Sequence, residues 1–127
     1  MTDAKAPIER IVHRPPVLID SQVTLRRAAV LLTEESIGVA VIRGVHPPAV
    51  VSERDIVAAL AEGLDPDHDH VDAIATLDVV SASPHDSVER IGRLMVDNEV
   101  RHVPIVDGEA IVGMASNRDV MAALLET

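Results

Sequence analysis

The chain contains no phenylalanine, tyrosine, tryptophan or cysteine, and Lys5 is its only lysine. Without aromatic rings, the core has to be built from Val, Ile, Leu, Ala and Met. A heterocyclic ligand would then lie between aliphatic side chains instead of stacking on a ring. Without cysteine there is no disulfide, no thiolate metal site and no cysteine nucleophile. A net charge of −10 with 11 Lys and Arg in all argues against a nucleic-acid partner, because phosphate neutralisation needs clustered cations. No apolar run approaches the roughly 20 residues of a membrane span. Met1 to Arg10 is polar and lacks the apolar centre of a secretory signal. A soluble, cytoplasmic protein with no membrane partner is expected.

What is present is a repeat. Ser52-Glu53-Arg54-Asp55-Ile56-Val57-Ala58-Ala59-Leu60 returns 64 positions later as Ser116-Asn117-Arg118-Asp119-Val120-Met121-Ala122-Ala123-Leu124, with six of nine residues identical. That spacing is too long for a solenoid unit and suits a duplication of about half the chain. Each copy comes after a short apolar run, Val50-Val51 or Ile111 to Ala115, and reads as a strand passing into a helix.

Two chemistries fit Ser-x-x-Asp at a helix start. In one, Ser caps the helix and Asp complements its dipole, as in a capping box. In the other, the free N–H groups and the Ser hydroxyl make an anion site, and the Asp accepts hydrogen bonds from neutral hydroxyls. A carboxylate repels phosphate but suits the two hydroxyls of a ribose. Ser52 with Asp55, and Ser116 with Asp119, are therefore candidate halves of nucleotide sites.

The rest of the chain obeys the same duplication. Pro7 to His13 is expected as a short helix ended by Pro15-Pro16, and Val17-Leu18-Ile19 as a strand. Thr24 should cap a helix carrying Leu25, Ala28, Ala29 and Leu32; Ile37 to Ile42 should be a buried strand, and Arg43 to Pro48 a turn. In the second half, Val71 to Leu77 is expected as a short helix matching the one at Ile8, and Val79-Val80 as a strand matching Val17-Leu18. Ser87 should cap a helix with Val88, Ile91, Gly92 and Met95, offset by 63 from the first. Val103 to Val106 matches Ala40 to Arg43, and Asp107-Gly108 is a turn. The fold class is α/β, each half reading strand, helix, strand, strand, helix.

Between the halves lies an acidic linker over residues 63–72, where His68 and His70 sit among Asp67, Asp69 and Asp72. Imidazole and carboxylate at close spacing ligate zinc, but the same residues also make a solvated acidic turn. The turn is the preferred reading, and no metal or cofactor is expected. No Gly-x-Ser-x-Gly or Walker loop occurs, so an enzyme is not expected.

With that order in hand, both halves resemble the cystathionine β-synthase (CBS) domain, and the whole resembles a CBS pair, or Bateman module. The second half is the closer match. It runs Arg101-His102-Val103-Pro104-Ile105-Val106-Asp107, then Ile111-Val112-Gly113-Met114-Ala115-Ser116-Asn117-Arg118-Asp119. The family pattern there is a basic residue or pair, an apolar-Pro-Val strand, a turn, an apolar-Gly strand, and Ser or Thr with Asp three residues on. The first half departs from it: Gly38 and Val39 replace the basic pair, Val41 replaces Pro104, and Val45-His46-Pro47-Pro48 replaces the turn and the Gly-bearing strand.

The resemblance implies tandem repeats at 8–62 and 71–126, packed with pseudo-twofold symmetry and binding adenine nucleotides in clefts between them. It implies a regulatory role. The ligand would be AMP, ADP or ATP, with S-adenosylmethionine and NAD as further choices. Asp119 and Asp55 would hold ribose hydroxyls, and Ser116 and Ser52 would lie near the phosphates. Arg101, His102 and Arg118 would neutralise phosphate, with Arg54 at the matching place in the first half. Arg101 has an alternative as an ion-pair partner of Asp97 or Glu99, Arg118 as a solvated helix residue, and His102 as a satisfied histidine beside a strand. The alternative for the whole chain is a structural or partner-binding protein with empty clefts. A homodimer is expected, because such pairs join into discs and because Ala28 to Leu32 is apolar on more than one helix face. The output would pass through another, regulated protein.

Overall fold

The structure, a computed structural model, describes residues 4–12, 14–45, 48–77 and 79–126. In chain order the regular elements are β1 (Leu18–Ile19), α1 (Leu25–Glu35), β2 (Val39–Ile42), β3 (Val50–Ser52), α2 (Glu53–Ala61), α3 (Val88–Asn98), β4 (His102–Asp107), β5 (Ala110–Ser116) and α4 (Asn117–Leu125). The α/β class expected from the sequence is observed. Thr24 and Ser87 cap α1 and α3, accepting from the backbone N–H of Arg27 and Arg90. Both helices end the same way, on a left-handed residue, Ser36 or Glu99. Their buried faces correspond residue by residue: Leu25 with Val88, Ala28 with Ile91, Leu32 with Met95.

Two compact units emerge, Val17–Val79 and Met1–Pro16 with Val80–Thr127. In the first, β1, β2 and β3 form one sheet in that order, β1 parallel and β3 antiparallel to β2. Its core joins Leu25, Ala28 and Leu32 of α1 to Ala40, Val51, Ile56 and Ala59. In the second, β4 and β5 pair antiparallel, and the core joins Val88, Ile91 and Met95 to Val103, Ile105, Ala115 and Val120. Among the described residues, no helix is long and apolar enough to cross a membrane.

Each core also takes in a short segment from elsewhere in the chain. Pro7 to His13, expected as a helix, makes only a 3₁₀ turn over Ile8–Arg10, and His13 lies outside the described residues. Ile8 N donates to Asp86 O (2.8 Å), Val88 N donates to Ala6 O (3.0 Å), and the Ile8 side chain is fully buried in the core of the second unit. Val71 to Leu77 likewise shortens to a 3₁₀ turn, Val71–Ala73, and Val71 is fully buried in the first core. The bond from Leu25 N to Asp69 O (3.1 Å) is the counterpart of the one from Val88 N to Ala6 O. One close approach needs glycine: a Cβ on Gly113 would stand 2.9 Å from the Val12 side chain.

The strand expected at Val79-Val80 is absent. In the first unit Val41 N donates to Val17 O (2.8 Å) and Arg43 N to Ile19 O (2.8 Å), which makes β1. At the positions 63 later, Val106 N donates to Ala82 O (2.7 Å), but Val41 is replaced by Pro104, which has no N–H to give. The pairing shrinks to a single bridge between Ala82 and Ile105. The turn expected at Asp107-Gly108 forms, with Gly108 at φ +65°. A bulge lies just after Ile105 in the β4–β5 ladder, within the segment where the repeat offset grows from 63 to 64. Part of the turn expected over Arg43 to Pro48 lies outside the described residues, at His46 and Pro47.

Candidate functional site

In the second unit the β4–β5 register carries the site. His102 stands opposite Ser116 in the ladder, and Asn117 N, the first amide of α4, donates to Arg101 O (2.8 Å). Pairing therefore brings Arg101, His102, Ser116 and Asp119 to one helix start. Ser116 and Asp119 form a full capping box: Asp119 N donates to Ser116 Oγ (3.1 Å) and Ser116 N donates to Asp119 Oδ2 (2.8 Å). Both are half-buried, His102 is half-buried, and Arg101 and Arg118 are exposed.

The first unit repeats this geometry. Asp55 N donates to Ser52 Oγ (3.1 Å), Ser52 N donates to Asp55 Oδ2 (2.9 Å), and Glu53 N donates to Gly38 O (2.9 Å). Val39 stands opposite Ser52 where His102 stands opposite Ser116. Arg54 is exposed on the first turn of α2, as Arg118 is on α4.

The capping chemistry is thus present in both copies, and it revises the anion-site expectation. A helix start has four amides without intrahelical partners. At α4, Ser116, Asn117 and Asp119 have already spent theirs on Asp119, Arg101 O and Ser116 Oγ; α2 does the same with Ser52, Glu53 and Asp55. A phosphate here would rely on side chains more than on free amides. The remaining capacity lies in two places. A Ser hydroxyl that accepts from an amide still has its proton to donate. A carboxylate offers about four lone-pair sites, so the cap leaves room for hydroxyl donors.

The structure also brings in a residue that sequence spacing does not point to, and moves others away. Val50 N donates to Thr76 O (3.1 Å) and Thr76 N to Val50 O (2.8 Å), and the Thr76 hydroxyl lies 3.4 and 3.5 Å from the two oxygens of Asp55. A signal is available in the repeat: Thr76 stands 63 positions after His13, so each copy carries a polar side chain shortly before its first strand region. The side chains of Val103 and Pro104 are fully buried in the protein itself, while Val100, just before them, is half-buried.

The acidic linker has a definite geometry. Arg26 makes a two-pronged pair with Asp67, its Nη2–Oδ2 distance being 3.1 Å. Asp65 accepts from Asp67 N (2.9 Å) and lies 2.8 Å from His68 Nδ1, while Asp69 accepts from Asp65 N (2.7 Å). The amide of Asp67, then His68, lowers the Asp65 carboxyl below its ordinary value; the Arg26 guanidinium does the same for Asp67. Among the described residues, no group of three or more His, Asp or Glu has a metal-holding arrangement. A shallow groove along α3, lined by Ser87, Glu89, Arg90, Arg93, Leu94 and Asp97, includes none of the candidate ligand residues.

Comparison with known proteins agrees with this layout. The family model described as "CBS domain" matches residues 8–62 and 71–126. An uncharacterised 33.4 kDa protein from the ribosomal RNA operon of Thermofilum pendens is 30% identical over 117 residues, 91% of this chain and 38% of that protein. The chain thus spans little more than a third of that relative's length. Hypoxic response protein 1 of Mycobacterium tuberculosis is 30% identical over 108 residues, covering 81% of this chain and 74% of its own. A CBS domain protein from Pyrobaculum aerophilum, solved in complex with AMP, is 34% identical with a TM-score of 0.81, covering 94% of this chain and 96% of its own.

Proposed function

The chain belongs to the CBS domain family, with two repeats, and from that premise we propose that it is a regulatory module binding an adenosine-containing ligand, AMP first among the candidates. The observation that carries the reading is the convergence of Arg101, His102, Ser116 and Asp119 at the start of α4. The 34% identical AMP complex supports the choice of nucleotide. ADP, ATP, S-adenosylmethionine and NAD share the adenosine part and differ in the group that the ribose carries at its far end.

The chemistry divides by group. Asp119 accepts from the ribose hydroxyls with the capacity its cap leaves. The Ser116 hydroxyl donates toward the phosphate, Arg101 and Arg118 supply positive charge, and the His102 imidazole adds a ring N–H donor. The net charge of −10 opposes an anion only weakly at distance, because the Debye length is about 8 Å at physiological salt. Arg101 and Arg118, at the same helix start, therefore outweigh remote carboxylates.

Thermal unfolding with each ligand in turn is the test. A ligand at about 100 times its dissociation constant adds about 2.7 kcal/mol to stability, a clear rise in melting temperature for a chain of this size. AMP is expected to give that rise. No rise with any of the five ligands would favour a structural or partner-binding role.

A second copy of the chain is the proposed partner. The apolar surface that needs covering lies mainly on α2 and α4, more than on α1 where the sequence pattern places it. Val57 and Met121, which correspond across the repeat, are 66% and 58% exposed, and Leu60 and Leu124 are both 47% exposed. Repeated apolar faces of this kind suit a self-complementary contact between identical chains. Light scattering at micromolar concentration should give twice the 13.6 kDa chain mass, and a monomer mass would overturn the proposal.

A further inference from the structure

The first repeat has a polar contact that its capping box does not require. Thr76 comes from the segment after the linker, 21 positions beyond Asp55, and is held beside β3 by reciprocal backbone bonds with Val50 of 2.8 and 3.1 Å. Its hydroxyl lies 3.4 Å from Asp55 Oδ2 and 3.5 Å from Oδ1. Asp55 is thereby approached from two sides: by the Ser52 amide, within its own helix start, and by a hydroxyl anchored on a different stretch of chain. A carboxylate meant only to cap a helix gains little from the second donor. One meant to receive two adjacent hydroxyls gains from a fixed rotation about its own bond, since both acceptor directions must be set at once.

We propose that Thr76 is a positioning residue of the first repeat, setting the Asp55 carboxylate for a vicinal diol. The proposal rests on the nucleoside reading above and adds to it what this repeat selects. Gly38 and Val39 stand where the second repeat has Arg101 and His102, while Arg54 takes the place of Arg118. What this repeat reads is the ribose, the part that a nucleoside and a nucleotide share. Thr76 acts through Asp55 and contributes to discrimination between a ribose and its deoxy form.

The test uses the full chain carrying Asp119→Ala, so that titrations report on the first repeat, with adenosine and 2′-deoxyadenosine as probes. Adding Thr76→Val should weaken adenosine binding by about three- to tenfold, the range expected for one modest hydrogen bond. Deoxyadenosine binding should stay within about twofold, because it presents no diol, and Thr76→Ser should restore adenosine binding. An equal loss for both probes would mean a merely structural residue and would overturn the proposal, as would no loss for either. A second readout needs no ligand: amide hydrogen exchange at Ser52, whose N–H is held by Asp55. Exchange there should quicken in Thr76→Val and remain as in the parent in Thr76→Ser. If adenosine does not bind, the nucleoside reading of this repeat fails by itself. Unchanged Ser52 exchange would separately overturn the positioning role.

Discussion

The two helix starts are nearly the same object in different surroundings. At α2 and α4 the Ser hydroxyl accepts from the Asp amide at 3.1 Å, and the Asp carboxylate accepts from the Ser amide at 2.9 and 2.8 Å. The neighbours differ: Arg101 and His102 adjoin the second, while Gly38, Val39 and Thr76 adjoin the first. A capping box accounts for Ser-x-x-Asp in both repeats on local energetics alone. Any difference in what the repeats bind has to come from the residues around the box. The duplicated motif marks where a site stands, and the unduplicated residues decide what it takes.

The largest expected effect comes from making the second repeat resemble the first. Arg101→Gly with His102→Val removes the guanidinium and the imidazole next to Ser116, and a hydrogen bond from a charged donor such as Arg101 contributes about 1.5–3 kcal/mol. AMP binding should fall by tenfold or more at about 1.4 kcal/mol per decade, while adenosine binding should change little. Calorimetric titration with the two ligands checks this. Equal losses for both would show that the pair does not contact phosphate.

Next in size is an exchange between the sheets. Val41→Pro gives the first repeat the residue of the second, deletes the bond from Val41 N to Val17 O, and leaves that carbonyl without its donor. Denaturant unfolding should show a loss of about 1–3 kcal/mol. The reverse change, Pro104→Val, restores a donor opposite Val80 and should gain about 1 kcal/mol or less. If both substitutions are neutral, the proline does not explain why only the first repeat has a strand at that place.

The same contrasts mark how much of the fold and site is legible in the sequence. Thr24, Ser52, Ser87 and Ser116 are readable as caps because a cap is decided within about four residues. The α1 and α3 faces are readable because Leu25, Ala28 and Leu32 keep helical spacing, as do Val88, Ile91 and Met95. Val79-Val80 reads as a strand and is none, because the deciding residue, Pro104, lies in the partner strand. The packing of Ile8 with Val88 and of Val71 with Leu25 depends on contacts across 80 and 46 positions, which periodicity does not encode. Thr76 shows in the sequence only as the residue 63 positions after His13; its backbone partner Val50 and its side-chain partner Asp55 both lie in the preceding repeat, which periodicity does not encode.

The smallest expected effect concerns the linker turn, which in sequence is only a solvated acidic stretch. Asp65 and Asp67 have carboxyls held below their ordinary value of 3.8. A depressed carboxyl contributes stability that is fully present above its ordinary value and lost as pH falls through the folded one. The turn should therefore hold at neutral pH and loosen only as acidity passes below that range. These groups are exposed, so solvent screening keeps the effect local. Amide exchange at Asp67, whose N–H is accepted by the Asp65 carboxylate, corrected for intrinsic rate, should lose protection there in the parent. In Arg26→Ala the Asp67 carboxyl, followed by its own NMR chemical shift, should titrate at higher pH than in the parent. Asp67 amide protection that is independent of pH, or an Asp67 carboxyl whose titration is unaffected by Arg26→Ala, would contradict these pairings.

The central claim is that Asp119, in the repeat with the basic pair, is the principal ribose acceptor for AMP. Calorimetric titration of AMP into the parent, Asp119→Ala, Asp119→Asn and Asp55→Ala tests it most directly, with folding checked first because removing a capping side chain costs about 1 kcal/mol of stability by itself. Asp119→Ala should weaken binding by at least about tenfold, equivalent to the loss of one charge-assisted bond. Asp119→Asn should cost less, since the amide keeps one acceptor, and Asp55→Ala should cost least. If Asp55→Ala abolishes AMP binding while Asp119→Ala leaves it intact, the assignment of the nucleotide to the second repeat is wrong.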